Sequence, residues 1–79
     1  LFELTPIEKI SIITQKIKSL LTNKYDVELS IKQQNAMSEP NQKQIEGLML
    51  QEKNLAAQIS VLVKEVEYLQ NTNKAEADS

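Results

Sequence analysis

The chain has 79 residues, 41% hydrophobic and 25% charged, with a net charge of −2, one Gly, two Pro, three aromatic residues and neither Cys nor His. Without Cys there is no disulfide or thiolate metal site, and without His the commonest general base and metal ligand are both missing. All nine cations are Lys, so bidentate clamping of phosphate or guanine by a guanidinium is excluded, and the composition points to one small helical domain near the size where partners are needed for stability.

Residues Leu1 to Leu4 are apolar but too short to define an element. A chain that opens on Leu1 reads as trimmed or cut from a longer one. Thr5-Pro6-Ile7-Glu8 then has the form of a helix start: Thr5 as N-cap, Pro6 in the first helical position and Glu8 completing a capping box. From there a helical period runs over residues 6–35, about 45 Å at 1.5 Å per residue. Ile10, Ile17, Lys24 and Ile31 take the a positions of a heptad, and Ile13, Leu20 and Val27 the d positions.

The breaker cluster spans Asn35 to Asn41. Pro40 disfavours helical geometry at Glu39, and Ser38 or Glu39 can cap a second helix, so a turn is expected over 36–40. That helix is expected over about 40–71, with Ile45, Glu52, Ile59 and Val66 at a and Leu48, Leu55, Leu62 and Leu69 at d. Gly47 falls inside it, where it either weakens the helix or lets another helix approach closely. Residues 72–79 are polar and expected to be a flexible tail.

The two seams mirror each other. In an antiparallel pair, opposed positions have a constant sum. The a residues pair Ile31 with Ile45, Lys24 with Glu52, Ile17 with Ile59 and Ile10 with Val66, each totalling 76. The d residues total 75, and the centre, Ser38, falls inside the breaker cluster. The expected fold is therefore all-α: a single domain over 1–79 forming an antiparallel two-helix coiled-coil hairpin. Lys24 and Glu52, the charged a residues, are expected to meet as a register pin; the alternative is that both extend outward along their aliphatic stems.

Beside the seams the g positions are polar, while the e positions are Ile7, Thr14, Leu21 and Glu28 on the first helix and Met49, Ala56, Val63 and Gln70 on the second. An apolar stripe at a, d and e is that of a bundle helix rather than an isolated two-stranded coil. Ile7, Leu21, Met49, Ala56 and Val63 are the expected self-association face, giving a homodimeric four-helix bundle. Leu50, Ala57, Val61 and Tyr68 form a weaker outer seam on the second helix. With Tyr25 on the first, they could receive another helical protein or could simply be scattered surface groups.

Catalytic chemistry finds no constellation. Glu65 and Glu67 diverge on a helix, the Glu-x-x-His metal motif is impossible, and Gly47 alone makes no phosphate loop. The expectation is a non-enzymatic protein with no cofactor and no small-molecule substrate. The hairpin topology is similar to the small RNA-binding Rop-type dimers, a likeness of architecture that implies nucleic acid as a less favoured partner. Five lysines against four acids give residues 1–37 a charge of +1, and four against seven give residues 38–79 a charge of −3. That opposition suits helix pairing better than phosphate binding. No apolar run reaches the roughly 18 residues that span a bilayer, and no membrane association is expected. A cytoplasmic structural or adaptor module is the leading expectation. A regulator or chaperone holding a target helix in its e-side groove is the alternative.

Overall fold

The computed structural model describes residues 2–78 of the chain, and the side-chain surroundings of residues 2–72. Leu1 and Ser79, and the tail's side chains beyond Thr72, lie outside them. Two helices pack against each other, α1 (Pro6–Asn35) and α2 (Gln42–Asp78). The hairpin measures 62 × 19 × 17 Å with a radius of gyration of 18.0 Å. A compact domain of this length would have roughly 12 Å. The molecule is a rod, with correspondingly little interior.

The start of α1 is set by three side chains. The Thr5 hydroxyl accepts from the Glu8 N–H at 3.1 Å, and the Glu8 carboxylate accepts from the Thr5 N–H at 3.0 Å. With Pro6 in the first helical turn, two otherwise unpaired donors are satisfied reciprocally. These bonds hold the Glu8 carboxyl below its ordinary pKa, chiefly the one from the Thr5 backbone. The helix ends at the Ala36 cap, whose N–H reaches the Lys32 carbonyl at 3.1 Å.

The second helix begins slightly later than the sequence suggests. Its cap is Asn41 rather than Ser38 or Glu39: the Asn41 side-chain oxygen accepts from the Gln44 N–H at 3.1 Å, and its carbonyl from the Ile45 N–H at 3.0 Å. Asn is among the strongest N-cap residues, because its short side chain reaches the free N–H of the third helical position, here that of Gln44. At its other end α2 continues to Asp78 instead of giving way to a tail after Asn71. Residues 71–78 contain no Gly or Pro, and Lys74, Ala75, Glu76 and Ala77 are good helix formers.

Burial tracks the heptad. Every a and d residue from Ile10 to Ile31 and from Ile45 to Leu69 is buried or half-buried. Among the described residues the three buried hydrophobic ones are Val27, Ile45 and Leu69, all seam positions near an end of the rod. In the middle, Ile17, Leu20, Leu55 and Ile59 are only half-covered. Two helices meet along a line, so most seam residues still show one flank to solvent.

Gly47 resolves one of the sequence's open choices. A Cβ built there meets no atom within 4 Å, and no described glycine has positive φ. No helix within the hairpin uses the gap. Gly47→Ala should raise stability by about 0.5–1 kcal/mol in urea denaturation, through helix propensity alone. A loss of stability would mean that a partner packs against the bare backbone.

Candidate self-association face

The e positions of the two helices lie on one side of the seam. Because opposed e residues total 77, they form rows: Ile7 with Gln70, Thr14 with Val63, Leu21 with Ala56 and Glu28 with Met49. One heptad separates successive rows, about 10 Å along the rod. Ile7 is 66% exposed, Met49 57%, Leu21 50% and Val63 38%, and Ala56 is exposed as well. These residues border seam groups that are themselves half-covered.

The charged centre of the hairpin is arranged differently from the expected pin. Lys24 Nζ donates to Glu28 Oε1 at 2.7 Å, an ion pair along α1 at i,i+4 spacing. The Lys24 ammonium is held above its ordinary pKa, first by that hydrogen bond and then by the Glu28 charge, against partial desolvation. Glu52 adds the smallest upward push, so it lies within electrostatic reach across the hairpin without closing an ion pair. The i,i+4 spacing of Lys24 and Glu28 was the sequence signal for this pairing. It also occupies the one charged side chain among the e rows that would otherwise oppose burial.

A second polar contact joins the helices near the turn. Gln34 Nε2 donates to Gln44 Oε1 at 2.8 Å, while Gln34 Oε1 is buried without a partner. Gln34 takes the d position after Val27, so a polar residue closing that seam was visible in the heptad; its choice of Gln44 was not.

Shallow clefts run along the polar g side. One, about 420 Å³, is floored by Leu20 and Leu62 and walled by Gln15, Lys16, Ser19 and Gln58. A second, about 320 Å³, lies by the turn among Ser30, Gln34, Met37 and Gln44. A third, about 240 Å³, adds Val61 beside Leu20 and Leu62. The outer seam is open: Leu50, Val61, Tyr68 and Tyr25 are 60%, 66%, 63% and 59% exposed, and Ala57 is exposed too.

Among the described residues no group of His, Cys, Asp or Glu could hold a metal ion, and no helix is long and apolar enough to cross a membrane. Comparison with family models, with curated proteins and with solved structures found no match.

The Lys24 contacts predict an order of couplings. In double-mutant cycles read by urea denaturation, Lys24 should couple more strongly to Glu28 than to Glu52. Because the Lys24 pKa is raised on folding, the contribution is fully present below the ordinary lysine pKa and is lost as pH rises through the raised one. A stronger coupling to Glu52 would show that the cross-hairpin pair closes in solution.

Proposed function

We propose that this protein is a non-enzymatic structural or adaptor module that works by self-association of helical hairpins, two copies joining through their e faces into a four-helix bundle. The observation that supports it is one of area. The isolated chain exposes 6402 Å², whereas a compact monomer of 9.0 kDa exposes roughly 4,850 Å². The excess, roughly 1,550 Å², is more than the ~800 Å² that one partner contributes to a standard interface. Ile7, Leu21, Met49, Ala56 and Val63 form the part of that surface adjoining the half-covered seam. Docking a like face there would turn a line of contact into an enclosed core.

The face also suits a second copy electrostatically. Its rows carry one charged residue, Glu28, already neutralised by Lys24 on the same helix, so two such faces meet without like-charge repulsion. The outer residues Leu50, Ala57, Val61 and Tyr68 stay outside this contact, with Tyr25 at its edge, and would be the surface an adaptor presents to another helical protein. The Rop-like nucleic-acid reading gains nothing from the lysines, which are dispersed among acids.

Sedimentation equilibrium should give twice the 9.0 kDa chain mass. Leu21→Lys and Val63→Lys should each weaken association by about tenfold or more, with the mass falling toward one chain. A concentration-independent single-chain mass for the unaltered protein would overturn self-association and favour a hairpin that holds a target helix instead.

A further inference from the structure

We infer that the two copies lie with their turns at the same end, related by a two-fold axis parallel to the helices, so that α1 of each faces α2 of the other. The inference rests on the e-face dimer proposed above and specifies its geometry. A closed two-fold contact between these faces must place its axis in the plane between them, either along the helices or across them. The two choices bring different residues together.

An axis along the helices leaves every residue at its own height. The register of the new contact is then fixed by the hairpin, with no freedom to slide. Flanking the e rows on their outer side are the b positions: Ser11, Lys18, Tyr25 and Lys32 on α1, and Glu46, Lys53, Ser60 and Glu67 on α2, all exposed. In this arrangement Lys32 of one copy meets Glu46 of the other, and Lys18 meets Ser60. Ser11 meets Glu67, and Tyr25 meets Lys53, an ammonium over an aromatic ring. Every pair is formed twice. None sets like charges together.

An axis across the helices puts the turns at opposite ends and pairs α1 with α1 and α2 with α2. With all four rows overlapped, Lys18 faces its own copy and the Glu28 row meets Ile7. Sliding by half a heptad, to centre on Leu21 and Ala56, sets Glu46 against Glu67 twice. Like charges at a contact rim cost affinity and slow association, whereas the parallel-axis arrangement overlaps all four rows, sets Lys32 against Glu46 twice and brings no like charges together.

Two measurements on the full chain test this. The protein has no Cys, so Ser38→Cys in the exposed turn gives a single spin-label site. Dipolar spectroscopy should find labels of the two copies within about 30 Å, as expected for neighbouring helices with axes 8–10 Å apart. A separation near the helix length of about 45 Å with a two-chain mass would overturn the arrangement while leaving the dimer. A one-chain mass with no intermolecular dipolar signal would overturn the dimer, and the arrangement with it.

Charge reversal supplies the second test. Lys32→Glu and Glu46→Lys chains each repel their own kind in this geometry, but every Lys–Glu contact is complementary when the two are mixed. Heterodimers should exceed the statistical half of all dimers in native mass spectrometry. A statistical mixture would overturn the arrangement. Comparing dimers of the same two chains cancels any cost of the substitutions to the helices themselves.

Discussion

An antiparallel pairing of two helices fixes the sum of opposed residue numbers, and in this chain that sum governs everything else. That sum sets Ile17 across from Ile59 and Leu20 across from Leu55, since both seams repeat on the same heptad and the chain reverses midway between them. Burial confirms which residues form the seams: each a and d position from Ile10 to Ile31 and from Ile45 to Leu69 is withdrawn from solvent to some degree. The same geometry sets a limit. Two cylinders touch along a line, and a stripe three positions wide cannot be covered by one neighbour. The e side is what remains.

The hairpin's polar contacts act mainly within a helix or at its ends. Thr5 and Glu8 start α1, Asn41 starts α2, and Lys24 and Glu28 pair one turn apart. Gln34 and Gln44 bridge the helices next to the turn, where the chain is already close to itself. The middle of the rod is joined by apolar groups. Among the described residues no seam side chain is fully enclosed.

Much of this was legible in the residues. The Thr5 capping box and Pro6 give the first helix its start, and the heptad identifies the seam, because both signals are local and unopposed. The boundaries of α2 were less legible. Ser38, Glu39 and Asn41 are all acceptable caps, and the choice among them depends on the path of the backbone around Pro40. The helix beyond Asn71 has no apolar period to announce it, although Ala75 and Ala77 favour it. At Lys24, two acids were within range of one ammonium, Glu28 by helical spacing and Glu52 by register. The along-helix partner takes the hydrogen bond because it needs no rearrangement of the opposing helix. The e rows were visible as residues; their exposure together required both helices in place.

The mirrored register is most directly measured by disulfide trapping in a chain that has no cysteine of its own. Ile17→Cys with Ile59→Cys should oxidise rapidly to an intrachain bond and leave helicity unchanged, since opposed seam positions in neighbouring helices bring Cβ atoms close together. Ile17→Cys with Val66→Cys, one heptad away and about 10 Å further along the rod, should not. Equal trapping of both pairs, or faster trapping of the second, would contradict the hairpin's register.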